Sequence, residues 1–269
     1  MVMVTIKIDK LSFAYNDNKK VLDDLSLIIK GEPTAIIGQN GAGKTTLVKL
    51  LKGLITQTEG TITIDDLIVA QTNVADTARK VGLVFQNPDD QIFNSTVLEE
   101  VMFGPLNIGM SPTAAEKAAK FSLNEVGLID KITSNPFELS LSDRKLIAIA
   151  SITAMQTDVV IFDEPTIGQD RKGKMLIKQI IERLHQEGKL VITIIHDMDF
   201  VATTFPQTIV LVQGRVLISA DTRKVFEQLS LLEKAKLAQP HITQLGKELG
   251  LEETVLSVEE FVKQLKPNF

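Results

Sequence analysis

The sequence predicts an α/β protein built on a buried parallel sheet, and three observations carry that expectation. A short apolar run, Pro33-Thr-Ala-Ile-Ile37, feeds a glycine-rich turn, after which Leu47, Leu50, Leu51 and Leu54 recur at helical spacing. That strand–turn–helix order begins an α/β unit. Two further runs, Val159-Val-Ile-Phe162 and Leu190-Val-Ile-Thr-Ile-Ile195, are apolar almost throughout, as strands covered on both faces are. Between them Met175 to Glu187 reads as an amphipathic helix, the kind of crossover that a parallel pair requires.

The remaining elements follow along the chain. Thr5 to Ile8 alternates and Leu25 to Ile29 is rich in β-formers, ending at Gly31. Val81 to Phe85 reads as another buried strand. From about residue 87 to 155 the pattern turns helical, punctuated by Gly104-Pro105, Gly109, Pro112, Gly127 and Pro136, and a helical subdomain is expected there. Ile209 to Val212 and Arg215 to Ile218 flank Gln213-Gly214 as a hairpin near the sheet edge. Beyond Asp221 the chain is charged and helical, with Leu245, Leu249, Val258, Phe261, Val262 and Leu265 on short amphipathic stretches. The expected division is a main domain over residues 1–222 and a small helical appendage over 223–269. The apolar faces of the appendage either pack on the main domain or form a subunit contact.

Composition narrows the class. At 44% hydrophobic and 23% charged residues, the 269-residue chain can bury a sizeable core and is not disordered. The net charge of -5 and the lack of a Lys/Arg run argue against a nucleic-acid surface. With no cysteine there is neither a disulfide nor a thiolate metal site, which fits a reducing compartment. The stretch from Met1 to Asp9 alternates like a strand and lacks the apolar core of a signal peptide. No run approaches the roughly 20 apolar residues that span a bilayer, so a membrane role is expected to come through a partner.

The glycine turn is the most informative segment. Gly38-Gln-Asn40-Gly41-Ala-Gly43-Lys44-Thr45 matches the phosphate-cradle pattern G-x-x-x-x-G-K-[ST] in its confirming context, and Thr46 follows it. Glycines allow the backbone to curl around an anion so that successive N–H groups face phosphate oxygens, and the helix start adds its positive dipole end. Lys44 is expected to reach the β- and γ-phosphates and the Thr45 hydroxyl to ligate Mg²⁺. The run Val159 to Phe162 ends in Asp163-Glu164. Asp163 would hold Mg²⁺ through water, and Glu164 would polarise an attacking water as general base. ATP and Mg²⁺ are the expected ligands.

From about Lys7 to Ile218 the chain resembles the ABC ATPases. Gln86 follows the strand Val81 to Phe85 as the family's Q-loop glutamine does. Glu164-Pro-Thr-Ile-Gly-Gln-Asp170 is similar to the passage from Walker B to the D-loop, and His196 stands where the family has its switch histidine. Tyr15 matches the aromatic that stacks on adenine, although local packing at a strand end is also open to it. The resemblance implies a P-loop core with an N-terminal antiparallel β-subdomain and a helical subdomain. It also implies that Gln86 contacts Mg²⁺ or the attacking water and that His196 orients Glu164. A P-loop kinase or GTPase would share only the cradle. His185 and His241 are expected to be structural.

The family's signature, close to Leu-Ser-Gly-Gly-Gln, is replaced here by Leu139-Ser140-Leu141-Ser142-Asp143. In the family each signature closes over the other chain's cradle. Leu141 obstructs close backbone approach, and Asp143 brings negative charge towards an anion. Ser140-x-x-Asp143 is equally a helix capping pattern. The expectation is a weak or non-hydrolytic signature in a pair with a second, non-identical ATPase subunit.

Phe85-Gln-Asn-Pro-Asp89-Asp90-Gln-Ile-Phe93 resembles the Q-loop region of ATPases in energy-coupling-factor importers of vitamins or of cobalt or nickel. That resemblance implies a transmembrane coupling subunit, met by Asp89 and Asp90, together with a separate membrane protein that binds the substrate. It also implies a place at the cytoplasmic face of the cell membrane, and a C-terminal extension that helps ATPases pair. A soluble ABC-type ATPase, or a cassette of another transporter class, is the alternative.

Overall fold

The computed structural model describes residues 4–16 and 19–265. The first three residues of the expected N-terminal strand and the last four of the expected C-terminal appendage lie outside that range.

The chain opens with two long antiparallel strands, β1 (Thr5–Ala14) and β2 (Lys20–Lys30), paired from Thr5 opposite Lys30 to Ala14 opposite Lys20. The buried strand β3 (Thr34–Ile37) runs into the cradle and helix α1 (Lys44–Leu51), whose Leu47, Val48, Leu50 and Leu51 are buried. Then β4 (Glu59–Ile64) returns to pair with β1, and the short β5 (Leu67–Ile68) adds to its far edge. These strands form an antiparallel sheet in the order β2-β1-β4-β5. Helix α2 (Val74–Lys80), capped by the Asn73 side chain, leads into β6 (Val81–Val84).

Three helices follow. α3 (Val97–Asn107) starts at a Thr96 cap, α4 (Pro112–Glu125) at Ser111 with proline in its first turn, and α5 (Leu141–Thr153) at Ser140. Gly104-Pro105, read from sequence as an interruption, lies inside α3. Gly104 sits against Met155, where a Cβ would meet the Met155 side chain at 2.7 Å, so the pair marks a close packing contact rather than a helix end.

The core then resumes with β7 (Val159–Asp163), α6 (Arg171–Gln186), β8 (Leu190–Ile194), α7 (Met198–Thr204), β9 (Gln207–Val212) and β10 (Arg215–Asp221). The second sheet runs β10-β9-β3-β8-β7-β6, with β9 parallel to β3, the adjacent pairs from β3 to β6 also parallel, and β10 antiparallel at the edge. Residues on the central strands alternate between two cores. Ile36, Val159 and Ile161 face the cluster shared with α1 and the antiparallel sheet, whereas Ala35, Ile37, Val160 and Phe162 face the cluster shared with α5 and α6. A sheet buried on both faces accounts for the continuous apolar runs. The chain ends in α8 (Thr222–Glu227), α9 (Leu229–Lys234), α10 (His241–Glu248) and α11 (Val258–Leu265). Val225, Phe226, Leu232, Ala235 and Leu256 belong to the same core cluster as β7 and α6. Arg223 on α8 holds α11 through Glu260 at 2.7 Å.

Register fixes where function can sit. Val84 pairs with Phe162, Asp163 with Ile194, and Ile37 with Val210. The carboxyl ends of β3, β6, β7 and β8 therefore finish on one side of the sheet, the side on which open α/β sheets bind ligands.

Candidate active site

A cleft of about 390 Å³ lies at those strand ends, and Asn40, Gly41, Gly43, Lys44, Thr45, Thr46, Gln86, Asp163, Glu164 and His196 all line it. Gly38 lies beneath, at the end of β3. A Cβ there would come within 2.3 Å of the Leu211 carbonyl oxygen, so the cradle can pass under β9 only without a side chain. Gly43 caps α1 with φ +100 and presses against Leu22, which confines the position to glycine.

Lys44 is buried, and its Nζ donates to the main-chain oxygens of Gly38 (2.7 Å) and Gln39 (3.0 Å). Its ammonium is thus held over the loop it belongs to. Burial lowers its pKa, while the facing charges of Glu164 and Asp163 oppose that shift. Asp163 ends β7 and Glu164 follows it, and both are buried. Burial raises the pKa of Asp163, against the hydrogen bond from Thr45. Asp163 Oδ1 is a buried oxygen without a protein donor.

Glu164 is 4% exposed. Burial, reinforced by the neighbouring Asp163 charge, pushes its pKa up to about 7. Its φ is +52, in the left-handed region, where a residue bearing a Cβ costs roughly 1–2 kcal/mol. That conformation turns the chain off the strand. The Glu164 N–H still donates to Ile194 O at 2.9 Å, and the carboxylate faces His196, whose Nε2 is 3.1 Å from Oε1. The distance suits charge contact, yet Oε1 lacks a well-directed donor. Burial first, and Lys44 second, hold the His196 pKa down, favouring the neutral ring.

The oxygen donors of Thr45, Asp163 and Gln86 suit a hard cation. Among the described residues no group of three or more His, Cys, Asp or Glu could hold a metal by itself. An ion here would complete its shell with phosphate oxygens and water, as Mg²⁺ ordinarily does.

The other expected residues lie away from this cleft or at its rim. Tyr15 is 56% exposed, stands edge-on to Phe13, and brings its hydroxyl within 3.3 Å of Thr46 Oγ1. Ser140 caps α5 by accepting the Asp143 N–H at 3.1 Å, and Asp143 pairs with Lys131 at 2.9 Å. Ser142 donates to Gln169 Oε1 at 3.0 Å, and Gln169 returns a bond to the Ser142 carbonyl. Asp170 caps α6 through Gly173 N–H at 2.7 Å. Asp89 is paired within the chain to Arg144 at 3.3 Å, and Asp90 is exposed beside it.

Sequence reading passed over several polar residues that brace the cleft. Gln91 accepts from Phe85 N–H and donates to Ala148 O and Ser151, tying the Gln86 turn to α5. The buried Glu100 gathers three donors from Phe93 and Asn94. Lys145 donates to the Glu164 carbonyl. The one available signal was a charged residue directly before an apolar helical run, as at Lys145 before Leu146 to Ala150 and at Glu100 before Val101 to Phe103.

Comparison with known proteins agrees with this architecture. A family profile described as ABC transporter matches residues 22–167. A putative ABC transporter ATP-binding protein of Pyrococcus furiosus is 39% identical over 96% of this chain and 98% of its own length. The energy-coupling factor transporter ATP-binding protein EcfA2 of Streptococcus thermophilus is 36% identical over 97% and 98% respectively. Among solved structures, cbiO1 of Clostridium perfringens, described as part of the ABC transporter complex cbiONQ, superposes with a TM-score of 0.76 at 30% identity, covering 90% of this chain and 98% of that one. The cradle, the paired carboxylates and the switch-position histidine thus sit in a chain whose fold and sequence match over nearly their full length: it belongs to the ABC transporter family.

Proposed function

We propose that this chain is the ATP-binding and ATP-hydrolysing subunit of an importer of the energy-coupling-factor type, moving a vitamin or a transition-metal ion. The observation that carries the reading is the convergence of Lys44, Thr45, Asp163, Glu164 and His196 on one cleft.

In this reading the cradle N–H groups and Lys44 bind the triphosphate, and Tyr15 offers a ring face to the adenine. Thr45, Asp163 and Gln86 would hold Mg²⁺, which when bound neutralises phosphate charge. Glu164 takes the proton of the attacking water at its carboxylate, and a raised pKa suits a general base working near neutrality. His196 Nε2, beside that carboxylate, orients it. The reaction converts ATP and water to ADP and phosphate.

Two features support a membrane assembly. The relatives include an energy-coupling factor transporter subunit and part of the cbiONQ transporter complex, and in this reading attachment is peripheral, at the cytoplasmic face, through a transmembrane coupling subunit; among the described residues no helix is long and apolar enough to cross a membrane. Next to the Asp89–Asp90 turn, Phe93 and Phe103 meet edge to face at an exposed apolar cleft of about 370 Å³, a fit for a short helix of such a subunit. The substrate is bound by a separate membrane protein. Leu141 and Asp143 in the signature favour a second, non-identical ATPase as partner, with one strong and one weak site.

The test is Mg-ATP binding and hydrolysis by the purified protein and by its Glu164→Gln variant, together with recovery of a multi-span membrane protein from a detergent extract. Binding with hydrolysis abolished in the variant, and a co-purified membrane subunit, is the expected result. No affinity for Mg-ATP would overturn the reading. A fully active chain that recovers no membrane partner would favour a soluble ABC-type ATPase instead.

A further inference from the structure

Lys145 is a buried cation that none of the roles above employs. It is the fifth residue of α5 and is only 5% exposed. Its Nζ donates at 2.7 Å to the main-chain carbonyl of Glu164. An ammonium taken out of water needs both a hydrogen-bond acceptor and opposite charge. The carbonyl supplies the first, and the carboxylates of Asp163 and Glu164 supply the second.

The contact falls on the residue whose backbone is least at ease. Glu164 has φ +52, and such a conformation persists only where its surroundings over-determine it. Its N–H is fixed by Ile194 on β8. Its carbonyl receives a long bond from Ile167 N–H within the same loop, at 3.4 Å, and the short one from Lys145. Lys145 is thus the hold on that side which comes from outside the loop. With its N–H held by Ile194 and its carbonyl by Lys145, both peptide planes flanking Glu164 are pinned, and together they fix its φ and ψ and so the direction from which its carboxylate starts.

We propose that Lys145 is a positioning residue for hydrolysis: from α5 it clamps the Glu164 main chain in the conformation that points the carboxylate at His196 and the cleft. The inference rests on the proposed role of Glu164. The reciprocal pair of Ser142 and Gln169 ties the far end of the same loop to the same helix turn.

The experiment uses the full chain in its assembled transporter. Lys145→Met keeps length and apolar volume while removing donor and charge. Its turnover is expected to fall about tenfold or more, as misaiming of a reacting group does. Affinity for the nucleotide, read with a fluorescent ATP analogue, should stay within about twofold of the parent, since Lys145 does not line the cleft. Lys145→Arg should restore most of the turnover. In a Glu164→Gln background Lys145→Met should cause no further loss of the residual rate, because the group it aims is already gone.

Turnover within about twofold of the parent overturns the proposal. So does an additive loss in the Glu164→Gln background, or a fall in nucleotide affinity matching the fall in turnover. If Lys145→Met does not fold, Lys145→Ala, whose smaller side chain admits water to the carbonyl, is judged by the same outcomes. If Glu164→Gln itself hydrolyses ATP normally, the functional reading fails. If that variant is dead and Lys145→Met is not, only this inference does.

Discussion

His196 Nε2 and Glu164 Oε1 stand 3.1 Å apart just past the ends of two adjacent parallel strands, and among the described residues no hydrogen bond is directed at that carboxylate oxygen. The imidazole is therefore the group placed to orient the carboxylate. Replacing His196 with Ala should lower turnover about 100-fold, within the range for lost acid–base assistance, with little change in KM. Steady-state hydrolysis at saturating Mg-ATP checks this, and equal losses of turnover and affinity would contradict it.

The raised pKa of Glu164, about 7 against an ordinary 4.5, has a consequence for stability. A carboxyl whose pKa is higher in the folded state stabilises the fold while protonated. That contribution is complete below the unfolded value and is lost as pH rises through about 7. Glu164→Gln, permanently neutral, should therefore be more stable than the parent at pH 8, by on the order of 3 kcal/mol. The advantage should shrink towards pH 5. Nucleotide-free thermal or urea unfolding at the two pH values would show it, and a gap that does not change with pH would refute it.

Gly38 allows no Cβ, because the Leu211 carbonyl occupies the position at 2.3 Å and backbone there cannot yield as a side chain can. Gly38→Ala should destabilise the fold by about 1–3 kcal/mol, the cost of overpacking, and weaken nucleotide binding by displacing the cradle. Calorimetric melting and titration with Mg-ATP measure the two effects together.

Asp143 is already paired with Lys131, and that bridge is partly exposed. Removing it through Asp143→Ala should change stability by no more than about 1 kcal/mol. In the proposed heterodimer, altering Asp143 and Leu141 should also leave hydrolysis at this chain's own cradle largely intact, whereas Glu164→Gln should abolish it. Brisk hydrolysis by an isolated homodimer of this chain would count against that arrangement.

Much of this architecture was legible in the sequence because it is written in local terms. The cradle has a fixed spacing, the apolar runs ending at Phe162 and Ile195 are strands buried on both faces, and Asp163-Glu164 follows one of them directly. The bracing residues were not legible. Lys145, Gln91 and Glu100 are polar positions in helices or loops, and their partners are 19, 57 and 7 residues away, so only tertiary packing brings them to those partners. The segment from Glu59 to Lys80, with β4, β5 and α2, also drew no reading of its own, because half of β4 is exposed and it shows no continuous apolar run. Gly104-Pro105 misled for the opposite reason, since two residues that usually break helices are carried inside α3.

In the proposed assembly, the ion pair between Asp89 and Arg144 would make docking at that acidic corner an exchange. A guanidinium arriving from a membrane subunit would gain Asp89 only as Arg144, in the second half-turn of α5, lets go. The net gain is then the difference between two similar contacts, and charge alone would select partners poorly. Discrimination would fall to Asp90, for which the described residues show no such pairing, and to how well the incoming segment fits the apolar cleft that Phe93 and Phe103 line.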